Sequence, residues 1–173
     1  LILFAASGVA RAASRDALQQ RARQIFGLLP AEARNPANPI TDAKVELGRL
    51  LYFDPRLSKS QQISCNTCHQ LDRFGVDNQP TSLGHKGQRG TRNSPSVYNA
   101  AFHVAQFWDG RAADVEEQAK GPVLNPVEMA MPDPDHVVAV LRSIPGYAPL
   151  FATAFPEAQD PITYDNFARA VGA

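Results

Sequence analysis

The stretch Ser64-Cys-Asn-Thr-Cys-His-Gln70 (SCNTCHQ) contains both cysteines of the 173-residue chain and one of its four histidines. Cys65 and Cys68 stand three positions apart, so in a helical turn both thiols lie on one face. His69 follows directly, where its ring can reach a metal beside that face. This C-x-x-C-H spacing is typical of c-type haem attachment, in which each thiol forms a thioether with a haem vinyl group and the histidine ligates the iron. We therefore predict a covalently bound haem c held by Cys65, Cys68 and His69.

Other uses of the cysteine pair are disfavoured by the rest of the sequence. Structural zinc needs four protein ligands, typically from two such cysteine pairs, and the chain has no second pair. A thioredoxin-like redox pair would follow a strand of a βαβ unit, and no alternating run of strand length precedes the motif. The three-residue spacing disfavours a structural disulfide. Haem attachment is the interpretation that the sequence favours.

Composition narrows the class of protein. The chain carries seventeen acidic and seventeen basic side chains, with a formal net charge of zero. This even balance leaves no excess of positive charge of the kind that binds nucleic acid or an anionic membrane. Fourteen prolines and eleven glycines favour short helices joined by long ordered loops. No alternating run of strand length is present, so the predicted fold class is mainly α.

The first residues, LILFAASGVARAA, are typical of the end of a secretory signal peptide. An apolar run is followed by small residues, with Ala10 and Ala12 in the A-x-A relation of a signal-peptidase site. The run is shorter than the roughly 20 apolar residues that span a bilayer, so we predict no membrane span. A simple apolar N-terminal helix is the alternative. We predict that residues 1–12 are the remnant of a signal peptide, that the chain is truncated at its start, and that the protein is exported.

Helix signals recur between segments rich in proline and glycine. Thr41 and Asp133 are predicted N-caps, and Gly121 is a predicted C′ residue. Residues 72–93 show no periodicity and include four glycines, which is typical of a functional or disordered loop. The helices are predicted at residues 14–27, 41–53, 64–71, 95–102, 113–120 and 134–143 and from residue 162 onward.

Function depends on the group that faces His69 across the iron. A permanent Met or His there makes an electron carrier, whereas an open or openable site makes a catalyst. His85 lies in LGHKG, where flanking glycines let the backbone carry the ring towards the iron and away again. A solvated loop histidine is the alternative. The remaining candidates are His103, expected to be a packing residue, His136, expected at the surface, and Met129 and Met131.

Two further segments carry candidate side chains. Glu128 lies in NPVEM among apolar residues and prolines, so we expect a raised pKa and a capacity to move protons near neutral pH. An exposed loop glutamate is the alternative. Met129 and Met131 are either sulfur ligands or gap-fillers in a core. The segment FWDGR contains Trp108, the only tryptophan of the chain. From its residues alone, Trp108 is expected to be a core anchor, with Asp109 and Arg111 paired across a turn.

Taken together, six segments resemble the N-terminal half of the bacterial dihaem cytochrome c peroxidases. The likeness runs over residues 45–131 and extends to relatives such as the dihaem enzyme that matures methylamine dehydrogenase. It implies a cytochrome c-like haem domain at residues 13–160, with residues 161–173 starting a helix that leads into a second haem domain absent from this chain. The segments, in order, are ELGRLLYFDPRLS, SCNTCH, LGHKG, RGTRNSPSVYNAAF, QFWDGRA and GPVLNPVEM.

The resemblance also implies a role for each candidate residue. The motif ending at His69 holds the low-potential peroxidatic haem. His85 occupies the sixth site in the resting oxidised enzyme and leaves when the partner haem is reduced. Glu128 is the acid–base residue, and Trp108 lies between the two haems on the route of electrons. Asn93 is a ligand of a calcium ion near the haem interface.

The implied reaction is the reduction of hydrogen peroxide to water in the periplasm. Electrons would come from a small soluble cytochrome c or a copper protein (a cupredoxin) through the second haem of the full-length protein. Members of the family tend to be homodimers. Two alternatives remain open at this point: a monohaem electron carrier with Met129 or Met131 as the permanent sixth ligand, and a haem-based sensor in which the His85 loop is an order–disorder switch.

Overall fold

A computed structural model describes the backbone of residues 3–173 and the side chains of residues 15–173. The chain divides into two units, the first ending at Ala33 and the second spanning Arg34–Ala173. The first unit contains helix α1 (Leu3–Phe26), which begins well before the predicted start at Ser14. Gly27, with φ of 72°, ends the helix in the left-handed conformation that glycine adopts without strain. Residues 1 and 2 of the signal-peptide prediction lie outside the described residues, and that prediction is not tested.

The second unit is built from six short α-helices. Within residues 3–173 the structure has no named strand, and two isolated bridges, Leu83 with Arg89 and Gln106 with Ala112, are the extended pairings described. The predicted mainly α class is therefore confirmed. The helices are α2 (Asp42–Phe53), α3 (Cys65–Cys68), α4 (Val115–Leu124), α5 (Pro134–Ser143), α6 (Tyr147–Ala154) and α7 (Tyr164–Val171), with 3-10 turns at Pro55–Leu57, Leu71–Arg73, His85–Gly87 and Ala100–Phe102.

Helices α2 and α7 cross closely at Gly48. A Cβ atom at this position would lie 1.9 Å from the Ala170 carbonyl oxygen, so only glycine allows the two backbones to approach this far. Apolar side chains from α2, α5, α6 and α7 fill the core beside this crossing. The fully buried large side chains include Leu47, Leu51, Leu141, Phe151 and Phe167. Helix α7 is thus packed into this unit, and its continuation into a second haem domain stays a prediction.

Local capping signals located two helices correctly. The Thr41 hydroxyl accepts a hydrogen bond from the Lys44 N–H at 3.3 Å and starts α2. The Asp133 carboxylate accepts from the His136 N–H at 2.7 Å, and α5 has the predicted bounds. Pro134 at the first position of α5 adds a preset helical φ.

Three helix predictions were wrong. Residues 95–102 form only the 3-10 turn at their end, because Ser94 and Ser96 donate side-chain hydrogen bonds to distant carbonyls. The helix predicted to stop at Gly121 continues to Leu124. Gly121 is there for packing, since a Cβ would lie 2.9 Å from the Phe107 ring. The helix predicted over residues 64–71 is confined to α3.

Helix α6 was not predicted from the sequence. Pro149 is the third residue of α6, and a proline in the first turn removes no intrahelical hydrogen bond.

Within the described residues no single helix is long and apolar enough to cross a bilayer. Helices α5 and α6 meet that length and composition together, but only as a pair bent by 112°.

Candidate haem site

Helix α3 holds the two cysteines on one short turn. The Ser64 N–H donates to the Thr67 hydroxyl at 3.0 Å, which starts the turn. Cys65 and Cys68 are free thiols and partly buried. Burial raises the pKa of Cys65 to about 12 and also raises the pKa of Cys68. Burial thus favours the neutral thiol over a reactive thiolate at both positions.

The ring of His69 is oriented by the backbone of a distant segment. Its Nδ1 lies 3.0 Å from the carbonyl oxygen of Pro95, and because a carbonyl only accepts, Nδ1 carries the proton. Nε2 is then left with its lone pair for a metal. Burial lowers the pKa of His69, which keeps the ring in the neutral form that ligates iron. The Tyr52 hydroxyl fixes the same residue by donating to the His69 carbonyl at 2.5 Å.

His85 is buried, although it belongs to the glycine-rich loop. The residue is 9% exposed, and its Nδ1 is buried without a hydrogen-bond partner. Leaving such a group unpaired costs about 1–3 kcal/mol, a cost that a metal ion or a hydrogen-bond partner would remove. The alternative of a solvated loop histidine is excluded by this burial. The turn itself depends on left-handed backbone at Lys86 and Gly87, with φ of 55° and 70°.

The His85 loop is docked on the segment that carries Glu128. The His85 N–H donates to the Val127 carbonyl at 3.0 Å and to the Glu128 carbonyl at 2.8 Å. Gly84 makes this approach possible, because a Cβ there would lie 1.9 Å from the Val127 oxygen. The loop predicted over residues 72–93 is thus ordered at this point, and two candidate residues 43 positions apart are brought together.

Glu128 is partly buried beside the same site. Its Oε1 accepts a hydrogen bond from the Asn125 amide at 2.7 Å. Burial raises the pKa of Glu128, and the Asn125 hydrogen bond and the Arg111 charge oppose that effect without cancelling it. The Glu128 charge in turn acts on the Cys68 thiol. The expected raised pKa is confirmed, and the alternative of an exposed loop glutamate is wrong.

The two methionines belong to the hydrophobic core. Met129 is 4% exposed and Met131 is 5% exposed, and both are members of the main apolar cluster. This environment is that of a gap-filling side chain. It gives no support to the alternative in which either sulfur is a permanent ligand opposite His69.

Trp108 lies at the surface, and the alternative of a core anchor is wrong. The residue is 58% exposed, and its indole N–H donates to the Asn93 carbonyl at 2.9 Å. The expected ion pair between Asp109 and Arg111 is present at 2.8 Å. The Arg111 guanidinium also lies 3.5 Å from the centre of the Phe107 ring. Asn93 and Trp108 are therefore adjacent, which their separation of fifteen residues did not indicate.

The other two histidines stand apart from the haem motif. His103 was expected to be a packing residue, and this is wrong: it follows the 3-10 turn at Ala100–Phe102 in an extended conformation and is exposed. His136 is at the surface as predicted, with its side chain 64% exposed and its Nδ1 3.4 Å from Asp133. Neither has the burial that distinguishes His85.

Tyr52 and Pro95 were not found from the sequence. Both contact His69. The Tyr52 hydroxyl donates a hydrogen bond to the His69 carbonyl, and the Pro95 carbonyl accepts one from the His69 ring. A carbonyl acceptor is present at every position of the chain, so the residue type at position 95 gives no signal of this role. The Tyr52 hydroxyl reaches the His69 carbonyl only because α2 packs beside α3, a contact that the sequence does not indicate.

The residues fit a c-type haem. Two buried thiols share one helical turn, the imidazole next to them holds its proton at Nδ1, and a second imidazole has a buried nitrogen without a hydrogen-bond partner. The model of the family described as di-haem cytochrome c peroxidase matches residues 42–173. The chain belongs to this family, whose cofactor is haem c.

Several proteins of the family are similar in sequence or structure. Cytochrome c551 peroxidase of Pseudomonas aeruginosa is 49% identical over all of this chain and 49% of its own length. The methylamine utilization protein MauG of Methylorubrum extorquens is 43% identical over 87% of this chain and 42% of its own. A crystal structure of a MauG-like protein associated with microbial copper homeostasis has a TM-score of 0.74 at 31% identity, covering 83% of this chain and 43% of that one. The chain thus spans about half the length of these relatives.

Proposed function

We propose that the full-length protein reduces hydrogen peroxide to water at a haem c attached to Cys65 and Cys68, with His69 as the axial ligand. The observation that carries the proposal is the docking of the buried His85 on the backbone of Glu128. It joins a loop imidazole, which would bind the haem iron and release it, to a carboxyl group with a raised pKa. A permanent electron carrier needs a ligand that stays in place and has no need of an acid–base carboxyl group.

The reaction converts one hydrogen peroxide, two electrons and two protons into two waters. When bound, the haem supplies the iron centre that exchanges electrons with peroxide. The protein supplies the proton chemistry. Asn125 holds Oε1 of Glu128, which leaves Oε2 to take the proton from the near oxygen of peroxide and return it to the far oxygen. Water, a much better leaving group than hydroxide, then departs.

Access to the site requires movement of the His85 loop. Its docking depends on the two hydrogen bonds donated by the His85 N–H, each contributing about 0.5–1.5 kcal/mol. The left-handed residues Lys86 and Gly87 and the tightly packed Gly84 are the points at which the backbone can turn. We propose that the imidazole leaves its place when the second haem of the full-length protein is reduced.

The exposed Trp108 and its hydrogen bond to Asn93 support a route for electrons at this surface. We propose that electrons pass by Trp108 from the second haem, which receives them from a small periplasmic cytochrome c or cupredoxin. A calcium ion ligated by Asn93 would stabilise the segment that holds the indole. The signal peptide at residues 1–12, the haem domain boundaries at 13–160 and 161–173, and a homodimer are parts of the same proposal.

The test is steady-state consumption of hydrogen peroxide by the full-length holoprotein. A reduced small cytochrome c and a reduced cupredoxin are supplied in turn as donors, and donor oxidation is followed by absorbance. We expect two equivalents of donor to be oxidised per peroxide. A protein that carries its haems, is reduced by a donor and yet consumes no peroxide would refute the proposal.

A further inference from the structure

We propose that Asp77 is a positioning residue of the haem site, a buried carboxylate that anchors residues 94–95 against Cys68 and His69. The inference rests on the proposed role of His69 as a haem ligand. It assigns a function to a residue that no motif indicates, and it accounts for a negative charge enclosed beside the attachment helix.

Asp77 is 6% exposed, and its charge is stabilised by hydrogen bonds. Its Oδ1 accepts from the Gln79 N–H at 3.0 Å and from the Ser94 hydroxyl at 3.2 Å. Burial by itself would raise the pKa of Asp77, but these hydrogen bonds outweigh it and lower the pKa below the usual range. A carboxylate is therefore kept ionised in the interior, where its burial would be costly without these hydrogen bonds.

The hydrogen bond from Ser94 to Asp77 connects this charge to the haem motif through Ser94 and Pro95. The Ser94 hydroxyl lies 2.9 Å from the Cys68 carbonyl, so the hydroxyl is shared between that carbonyl and Asp77. The next residue, Pro95, supplies the carbonyl that accepts from Nδ1 of His69 at 3.0 Å. Two consecutive residues thus bind two consecutive residues of the haem motif. Asp77 holds the first of these contacts, and the position of the second depends on it.

The Asp77 charge is also held close to His69. Its Oδ1 accepts from the Ser94 hydroxyl at 3.2 Å, and the carbonyl of the next residue, Pro95, accepts from Nδ1 of the His69 ring at 3.0 Å. A fixed negative charge near an iron centre stabilises the oxidised state, in which the iron is more positive, and so lowers the reduction potential. Asp77 therefore has two separable effects, one on the orientation of the ring through residues 94–95 and one on the potential through its charge.

Two substitutions in the full-length holoprotein separate these effects. Asp77→Asn removes the charge and keeps an acceptor oxygen, so we expect a positive shift in the reduction potential of this haem by spectroelectrochemical titration. Ser94→Ala removes the hydroxyl and keeps the charge, so we expect changed EPR g-values of the ferric haem, which report the orientation of the imidazole. Asp72→Asn, which removes an exposed carboxylate from the same stretch of chain, is the control and should change neither.

The inference is overturned if both variants bind haem and match the unsubstituted protein in potential and g-values. If Asp77→Asn does not fold or bind haem, Ser94→Ala decides alone, and unchanged g-values in that variant overturn the inference. These readouts do not depend on turnover. A protein without peroxidase activity that still shows the two shifts would refute the proposed function and leave the role of Asp77 intact.

Discussion

The backbone N–H of His85 donates to the carbonyl of Glu128 at 2.8 Å, across 43 positions of sequence. This hydrogen bond joins the loop that carries the buried imidazole to the segment that carries the carboxyl group with a raised pKa. Movement of one therefore changes the surroundings of the other. In the proposed reaction, release of His85 and exposure of Glu128 to peroxide are parts of one rearrangement.

Gly84→Ala should release the His85 loop. The new Cβ would lie 1.9 Å from the Val127 carbonyl oxygen, so the backbone must move away and lose the hydrogen bonds of the His85 N–H. We expect the oxidised full-length protein to react with peroxide without prior reduction, measured by stopped-flow absorbance. Gly90→Ala is the matched control, since its nearest neighbour would be 3.9 Å away. Identical behaviour of the two variants would argue against docking at Gly84.

His85→Ala should change the resting spectrum of the haem. Removal of the imidazole leaves no histidine to face His69, so we expect the oxidised haem to lose its bis-histidine signature and become five-coordinate or bind water. Electronic absorption and EPR spectra of the full-length protein measure this. His136→Ala, at a side chain that is 64% exposed, is the control. A bis-histidine spectrum that survives in His85→Ala would exclude His85 as a ligand.

Gly48→Ala should destabilise the second unit. A Cβ at this position would lie 1.9 Å from the Ala170 carbonyl, so α2 and α7 must separate, and overpacking of this kind costs about 1–3 kcal/mol. Gly146→Ala introduces the same methyl group into open space and is the control. Urea unfolding followed by circular dichroism should show a lower midpoint for Gly48→Ala alone. Equal midpoints would contradict the close crossing of α2 and α7.

Protonation of Asp54 should lower the stability of the folded protein at acid pH. Burial would raise its pKa, but hydrogen bonds from Arg56 and Tyr147 outweigh burial and lower the pKa below its ordinary value of 3.8. The folded state therefore binds this proton less readily than the unfolded state. The stabilisation is complete above the unfolded-state pKa and is lost as the pH falls through the folded-state pKa.

Asp54→Asn removes this contribution at neutral pH. We expect a loss of about 2 kcal/mol in the free energy of unfolding, the scale of hydrogen bonds to a charged group. The difference from the unsubstituted protein should shrink as the pH is lowered below about 4. Asp72→Asn, at an exposed carboxylate, should leave the unfolding midpoint unchanged. An Asp54→Asn protein as stable as its parent at pH 7 would contradict this assignment.

The sequence predicted the elements that local chemistry determines. Helix α5 has the bounds expected from Asp133 as cap and Pro134 at the first position, because both act within one turn. The helix expected over residues 95–102 does not form, since Ser94 and Ser96 donate instead to carbonyls of Cys68 and Phe74 more than twenty residues away. No local pattern indicates such partners.

The same distinction applies to the site. The haem motif is contiguous, so its chemistry could be predicted from spacing alone, and the pKa shift of Glu128 followed from its apolar neighbours. The contacts that orient His69 could not be predicted, because the Tyr52 hydroxyl meets the His69 carbonyl, and the Pro95 carbonyl meets the His69 ring, only where the fold brings these distant segments together. The burial of His85 likewise depends on docking at Val127.

The central claim is tested most directly by peroxide turnover in Glu128→Gln. General acid–base catalysis contributes about 100-fold to 10,000-fold to a rate, so we expect kcat to fall by at least 100-fold while haem content and the resting spectrum stay unchanged. Glu157→Gln, at an exposed glutamate, is the control and should keep the parental rate. The measurement is hydrogen peroxide consumption by the full-length holoprotein with a reduced cytochrome c donor. Near-parental turnover by Glu128→Gln would contradict the account.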